Sequence, residues 1–507
     1  MPSTPVKVGK REDFLVELQS FFQNKGFIWG PFPEIYGGVA GFYSYGPMGK
    51  LLKDKVERVV RRTFQSNGLR EVECPIVVPD IVWEASGHLE TFTDPVIFTK
   101  DKKESYRVDK LLEENDIRVV DFSDKGLLEL VRKHNITSPN GKELDLKIHR
   151  QSLMMKTVTG GIEASLRPET ATVTYLPFKR YFEFFRRKMP FGVFQIGKAF
   201  RNEISPRQSL LRSREFTQAE GQLFINPAEE NNWEKYNSIK NFKLPLWDYK
   251  AQKTNEKPKM INVSDAVNKK HFTTTAYAWC VWLAYQLFVN MGIPSEKIRI
   301  RQHDPEEKAF YARDAWDIEI ELHSFGWVEV CGVHDRTDYD LKQHSKFSKQ
   351  NLTAKDEKGN EFTPHILEIA FGIDRLVFAL LDLFYSKIEK DEGKTTFQVP
   401  YHLSPVDVAI FPLMKKDGLP EVAVKIKQEL ETEFVVEYDD SGSIGRRYLR
   451  AAEVGTPYCI TIDHDSLKNK DCTIRDRDSE KQKRVKIQGL KEVLRNLLTK
   501  EISFEKL

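Results

Sequence analysis

Apolar positions between Arg11 and Gln23 recur at three- and four-residue intervals, at Phe14, Leu15, Leu18, Phe21 and Phe22, which predicts an opening amphipathic helix. The stretch from Tyr36 to Gly49 (YGGVAGFYSYGPMG) is rich in glycine and aromatic residues and reads as a turn or hairpin. From Lys50 the helical period returns, with Leu51, Leu52, Val56, Val59, Val60 and Phe64 separated by charges, and Gly68 ends the run. A strand is expected from Glu71 to Val78, stopped by Pro79. Further strand-like runs lie at Gly192 to Phe200, Gly221 to Phe224, Ile318 to Val330 and Ile366 to Phe371, with a long, largely apolar helix at Phe272 to Met291. Short as well as long connections join these strands, so the sheet pairs most simply as antiparallel in an α+β catalytic unit.

Between Asp101 and Ile148 periodicity weakens and charge rises (DKKES, LLEENDIR), which marks a small inserted domain, 101–148, within a unit spanning 1–100 and 149–400. Prolines in VPYHLSP, Val399 to Pro405, mark a linker. Beyond it strands at Val406 to Phe411, Val435 to Tyr438 and Tyr458 to Ile462 alternate with helices at Glu421 to Phe434 and Leu490 to Leu498. That pattern predicts a C-terminal α/β domain, 404–507, with a parallel or mixed sheet.

A chain of 507 residues is too long for one core, and 33 Phe with 17 Tyr supply apolar material for several. Lys and Arg number 78 against 75 Asp and Glu, so any nucleic-acid contact must come from local basic clusters. The five cysteines, Cys74, Cys280, Cys331, Cys459 and Cys472, form no CxxC or Cys/His spacing, which argues against zinc and disulfides and for a reducing, cytoplasmic compartment. The opening MPSTPVKVGKREDF has no apolar core, and the apolar run from Leu376 to Tyr385 is short and broken by Asp382, so neither secretion nor a membrane span is expected.

The chemistry concentrates between Ser165 and Phe224: SLRPETATVTYLPF, then FQIGKAFRNEISPRQSLLRSREFTQAEGQLF. Arg167, Glu169, Arg201, Glu203, Arg207, Arg212, Arg214, Glu215 and Glu220 alternate there with Phe200, Phe216 and Phe224. Strand positions two apart share a face, so Arg201 and Glu203 are expected side by side, an arrangement suited to holding a phosphate beside a recognised polar group. FRNE followed by RSREF resembles the second signature of class II aminoacyl-tRNA synthetases, and RPET, FRNEISPR and REFTQAE together are similar to glycyl-tRNA synthetases of the dimeric archaeal and eukaryotic type. PHILEIAFGIDRLVFAL, Pro364 to Leu380, resembles the third signature, and the helix from Lys50 with its following strand resembles the first, which builds the dimer interface in that class.

The resemblance implies an ATP site in which Arg201 binds the α-phosphate, Phe216 stacks on adenine, Glu203 meets the adenine amino group or orients nearby arginines, and Arg212 contacts the outer phosphates. It places Asn202 and Gly372 in the same site and Arg375 over the adenine and γ-phosphate, with Arg201, Glu203 and Arg375 as the catalytic set. GWVEVCGVHDRTDYDL, Gly326 to Leu341, is similar to the family's strand before the third signature. There Glu329, sharing a face with Trp327 and Cys331, is implied as a ligand of the Mg2+ that accompanies ATP, and Arg336 as directed at the phosphates.

Glycine offers only its charged groups, so it must be held by carboxylates. Glu169, Glu220 and Glu368 match the three acids that surround its ammonium in the family. The chain departs from the family near that pocket, with Thr172-Val173 where Gln-Gly is usual and Ile369-Ala370 where Pro-Ser is usual. Ala370 thus replaces a serine that assists glycine binding, while Val173 and Phe194 are expected to fill the pocket more tightly. A class II synthetase for another small amino acid and a non-catalytic, nucleic-acid-binding relative stand as alternatives.

From about Ser404 the chain resembles the anticodon-binding domain shared by several class II synthetases, in DDSGSIGRRYLRAAEVGTPYCITID and TIRDRDSEKQKRV. The resemblance implies contacts to unstacked bases of a glycine tRNA from Arg446, Arg447 and Arg475, flanked by Arg450 and Arg477. The expected partners are glycine, ATP, glycine tRNA and a second copy of the chain.

Overall fold

The computed structural model describes residues 8–507 apart from 116, 118, 120, 122, 205, 207, 208, 306, 310 and 388–394. The chain opens with α1 (Val8–Asn24) and α2 (Pro47–Ser66). Pro47 sits in the first turn of α2, where its missing N–H costs nothing, and Leu52, Val56, Val60 and Phe64 form the fully buried stripe. The catalytic sheet then gathers nine strands: β1 (Leu69–Glu71), β2 (Phe191–Phe200), β3 (Glu215–Ile225), β4 (Lys243–Trp247), β5 (Lys259–Asn262), β6 (Ile298–Gln302), β7 (Asp314–Leu322), β8 (Gly326–Thr337) and β9 (His365–Gly372). Their order is β5-β4-β6-β7-β8-β9-β3-β2-β1, antiparallel throughout except for β1 beside β2 and β4 beside β6.

One face of this sheet is covered by α2, by α3 (Thr275–Asn290) and by α4 (Ile373–Phe384). Helix α3 is apolar around almost its whole circumference and lies buried in the main core, as a helix without a polar face must. The other face carries the polar residues discussed below. Asp374, in the first turn of α4 and 3% exposed, ties three parts of this layer together. Its Oδ1 lies 3.0 Å from Nζ of the buried Lys53 on α2, and its Oδ2 accepts from the Thr217 N–H of β3 at 2.6 Å. Lys53 also donates to Thr217 Oγ1 at 2.6 Å. Asp374→Ala leaves a buried ammonium without its counter-charge, so it should destabilise the catalytic unit by about 3–5 kcal/mol, read as a fall in the thermal unfolding midpoint; an unchanged midpoint would show that Lys53 finds another partner.

The first expected strand is interrupted. Residues 69–71 join the large sheet, the Cys74-Pro75 step breaks the run, and 77–79 pair instead with 162–166 in a separate three-stranded sheet. The inserted unit is also wider than 101–148. Its sheet uses Thr93–Thr99, Ser105–Arg107 and Leu144–Ser152, and two helices, Val108–Glu113 and Asp124–Lys133, pack on it around Ile97, Leu112 and Leu127. Its flanking strands are apolar, so the rise in charge marked only the middle of the unit.

The C-terminal unit has its own core and a mixed sheet of β10 (Val408–Pro412), β11 (Val436–Tyr438), β12 (Tyr458–Ile462), β13 (Asp471–Asp476) and β14 (Gln482–Lys486) in the order β11-β10-β12-β13-β14. The first three strands run parallel and the last two pairings are antiparallel. A buried ion pair, Lys55 Nζ to Asp407 Oδ1 at 2.5 Å, joins it to α2. Among the described residues no helix is long and apolar enough to cross a membrane.

Candidate active site

A cleft opens on the polar face of the sheet where β3, β9 and β8 run side by side, and it is lined from both ends by charge. At one end stand Arg201, Glu203, Arg212, Phe216, Glu329 and Arg375; at the other Glu169, Glu220, Arg336 and Glu368, with Ala370 and Gly372 between. Twelve residues from well-separated stretches of sequence thus converge on one space. Asn202 is not among them; its backbone N–H is bonded to the Leu153 carbonyl at 2.8 Å.

The cationic end is built from the tips of β2 and β3. β2 ends at Phe200, so Arg201 and Glu203 lie beyond the strand rather than on one face of it. Arg201 is held before any ligand arrives: its Nε donates to the Pro168 carbonyl at 3.0 Å, and its guanidinium lies 5.3 Å from the Phe92 ring and 5.4 Å from the Phe216 ring. Glu203 accepts from Arg212 Nε at 2.7 Å. Arg375, projecting from the first turn of α4, donates to the Leu211 carbonyl at 3.2 Å and to the Glu329 carbonyl at 2.8 Å. Gly372 before it has φ −88°, open to any residue, and a Cβ there would meet only the Arg375 stem.

A bulge in β8 corrects one expected face. Glu319 of β7 faces Glu329, but Ile318 faces Cys331, so the two strands slip by one residue. Glu329 therefore turns toward the cleft while Cys331 turns into the core, and simple alternation fails across Val330. Arg375 Nη1 lies 3.3 Å from Glu329 Oε1. Although desolvation opposes it, Arg375 with His303 and His334 holds the Glu329 carboxyl below the usual range. A half-exposed, ionised carboxylate at the edge of the cationic end is a hard oxygen donor and fits a Mg2+ that arrives with a polyphosphate.

The anionic end holds three carboxylates, two of them buried. Glu169 accepts from Thr172 Oγ1 at 2.7 Å and faces His88 Nε2 at 3.4 Å. Glu368 accepts from the Tyr175 hydroxyl at 2.8 Å and from Gln222 at 3.2 Å, and Arg336 Nη1 lies 3.5 Å away. Glu220 accepts from Thr170 Oγ1 at 2.5 Å and has no cation in contact among the described residues. Burial disfavours charge on all three, but His88 and Arg336 outweigh it at Glu169, and Arg336 and His334 outweigh it at Glu368, so both stay below the usual carboxylate range. Burial, then repulsion from Glu368 and Glu169, pushes Glu220 up to about 8. The cluster carries more acid than its own cations neutralise and is ready for a small ammonium.

Arg336 belongs to this end rather than to the phosphates. It is buried, Asp340 accepts from its Nε at 2.8 Å and from Nη2 at 3.0 Å, and its guanidinium lies 4.2 Å from the Tyr311 ring. Val173 and Phe194 do not fill the pocket either. Val173 packs with Val78, Trp83 and Met154, and Phe194 pairs with Gly221, one position off Glu220, so its ring points through the sheet toward Phe64.

Sequence reading missed several contributors. His88 meets Glu169 from the helix after residue 87, and His334 meets Glu368 with Nδ1 to Oε1 at 3.2 Å. Asp94 opens the inserted unit 3.8 Å from Arg212 and 3.0 Å from Arg107, and its burial raises its carboxyl. VHDRTDYD did bring His334 into the quoted stretch beside Arg336, and β-strand alternation would have put both on one face. His88 and Asp94 had no such signal. A further group, Glu230, Asp335 and His365, has carboxylate and imidazole atoms within 4.8 Å of one another away from the cleft, and Arg313 Nη2 already sits 2.8 Å from Glu230 and 2.6 Å from Asp335 as its cation.

In the C-terminal unit the three arginines separate. Arg447 is 3% exposed and donates to the carbonyls of Pro412, Asp440 and Gly442, so it clamps a loop and is withdrawn from any RNA. Its neighbour Arg446, about 100° further round the helix Ile444–Glu453, is exposed. Arg475 lies 4.7 Å from the Tyr448 ring on the same side as Glu480. Arg477 is a second clamp, donating to the carbonyls of Phe397 and Gly455.

Residues 160–384 match the family described as tRNA synthetase class II core domain (G, H, P, S and T), and 407–497 match the anticodon binding domain. A glycine–tRNA ligase of Methanococcus maripaludis is 38% identical over 92% of this chain and 96% of its own length. Those of Thermococcus gammatolerans and Pyrococcus abyssi are each 36% identical over 97% of this chain and 100% of their own. With a cleft of this composition on an antiparallel sheet, and similarity running through both units, the chain belongs to the glycine–tRNA ligase family of class II aminoacyl-tRNA synthetases.

Proposed function

We propose that the protein activates glycine with ATP and transfers it to the 3′ end of a glycine tRNA. The observation that carries this is the pairing, in one cleft, of three convergent carboxylates with an arginine and phenylalanine set of opposite character. Glycine's ammonium sits among Glu169, Glu220 and Glu368, which directs its carboxylate along the sheet toward Arg201. A carboxylate oxygen attacks the α-phosphorus of ATP, the bond to the β-phosphate oxygen breaks, and pyrophosphate leaves with that electron pair. Arg201 meets the charge that grows on the α-phosphoryl oxygens. Phe216 and Arg375 sandwich the adenine, and Arg212, oriented by Glu203, takes the outer phosphates. Mg2+ held at Glu329 neutralises phosphate charge when bound. A ribose hydroxyl of the terminal adenosine then attacks the glycyl carbonyl and AMP departs, so no covalent enzyme intermediate is required.

The same reading makes the chain a homodimer of the cytoplasm. Ile76, Val77 and Ile81, with Val158 and Ile162 on the same small sheet, expose 39–61% of their surface, an apolar face suited to a second copy. Five unpaired thiols suit a reducing compartment.

The test is amino-acid-dependent exchange of labelled pyrophosphate into ATP across a panel of amino acids. Glycine alone should support it; a preference for alanine or serine would overturn glycine while leaving the adenylate chemistry standing. For the RNA step, Arg446→Ala with Arg475→Ala in the full chain should lower tRNA charging by about 10- to 100-fold, the loss of two base or phosphate contacts, with pyrophosphate exchange unaltered. Removing the whole C-terminal unit is a poorer experiment, because it strips Lys55 of Asp407.

A further inference from the structure

Cross-strand register arranges the floor of the anionic end in rows. Glu220 of β3, Ala370 of β9 and Gly332 of β8 lie side by side in one row, and Gln222, Glu368 and His334 in the next. Ala370 and Gly332 present only a methyl group and a hydrogen, so the floor is lowest beside Glu220. The His334 ring does not stand over its own row. It leans back across Gly332, its Cε1 2.6 Å from where a Cβ on residue 332 would lie. Glu368 holds one side of the ring, with Nδ1 to Oε1 at 3.2 Å, and His303 meets it edge-on at 6.1 Å between centroids. His303 is itself fixed by Asp317 at 2.7 Å.

We infer that His334 is the residue that sets the size limit of the amino-acid pocket. This rests on the glycine reading of the cleft and deepens it. Val173 and Phe194 point elsewhere, so the hollow at Gly332 and Ala370 is closed by the imidazole and by nothing else of comparable bulk in that row. A ring braced on two sides cannot retreat cheaply from an added methyl group, and the site therefore takes an amino acid with no side chain.

The experiment is kcat/KM for glycine, alanine and serine in pyrophosphate exchange, for the unaltered protein, His334→Ala, His334→Gln, and His334→Ala combined with Gly332→Ala. In His334→Ala the glycine-to-alanine ratio should fall by about 10- to 200-fold, the range one methyl group commands in a shaped pocket. Adding Gly332→Ala should recover most of that ratio, since its methyl refills the hollow the ring has left. An unchanged ratio in His334→Ala, with or without a higher KM for glycine, overturns the inference; so does a lowered ratio that Gly332→Ala does not recover. If His334→Ala does not fold, His334→Gln, shorter in reach but still able to donate to Glu368, should show a smaller fall of the same sign, and an unchanged ratio there overturns the inference equally. Absence of glycine-dependent exchange in the unaltered protein would instead bring down the glycine reading, before any substitution is made.

Discussion

Arg201→Ala should lower glycine-dependent pyrophosphate exchange by about 100- to 1,000-fold while leaving the thermal unfolding midpoint within a degree or so. The size of the effect follows from how the side chain is held. Nε is engaged by the Pro168 carbonyl, and Phe92 and Phe216 stand about equally far from the guanidinium, so its orientation is established without substrate. Charge aimed in advance at the α-phosphoryl oxygens costs no reorganisation when the transition state forms. Lysine should not rescue, because a point charge on a flexible stem cannot keep the planar contacts on both sides. The fold should tolerate the change, since Arg201 bridges no helix to the sheet, in contrast to Asp374, whose loss is felt in stability first. Near-normal exchange by the folded variant would remove Arg201 from the chemistry.

How much of this was legible in the chain depends on which physical signal a residue obeys. The stripe Leu52, Val56, Val60 and Phe64 obeys the helical period because burial enforces it, and α2 is found where that stripe lies. Charged residues embedded among phenylalanines marked the site, because burying such groups requires partners. Three kinds of detail escaped. Alternation misplaces Cys331 because a bulge at Val330 adds one residue, and no side chain announces a bulge. Arg446 and Arg447 are adjacent and chemically identical, and only the helix's rotation sends one to solvent and the other to three carbonyls. Phe194 was credited with filling a pocket that lies through the sheet, since its facing depends on the pairing with Gly221 rather than on its distance along the chain. Pairings such as His88 with Glu169 join segments about eighty residues apart and exist only once the sheet has formed.

The second large effect concerns Glu220 and pH. In the empty protein burial and two neighbouring carboxylates raise its pKa to about 8, so at neutral pH it is mostly protonated. Glycine brings an ammonium into that cluster, which favours the ionised form, so binding should expel a proton. The sign follows: between about pH 6 and 8 the apparent affinity for glycine should rise with pH by up to about tenfold per unit, and flatten once Glu220 is ionised in the free protein. Stability runs the other way. A carboxyl whose pKa is raised on folding contributes fully below its unfolded value, near the usual 4.5, and that contribution is lost as pH climbs toward 8, so the empty protein should weaken over this window and recover on adding glycine. Glu220→Gln removes the titrating proton and leaves a neutral partner. It should raise the KM for glycine by about 10- to 100-fold at pH 8, the difference between a charge-assisted and a neutral contact, and make both KM and the unfolding midpoint nearly independent of pH across the window. The measurement is KM for glycine in pyrophosphate exchange at half-unit steps, beside thermal melts of the same samples. A wild-type KM that stays flat from pH 6 to 8, or that falls as pH is lowered, would place the ammonium away from Glu220 and leave Glu169 and Glu368 to hold it without a proton changing hands.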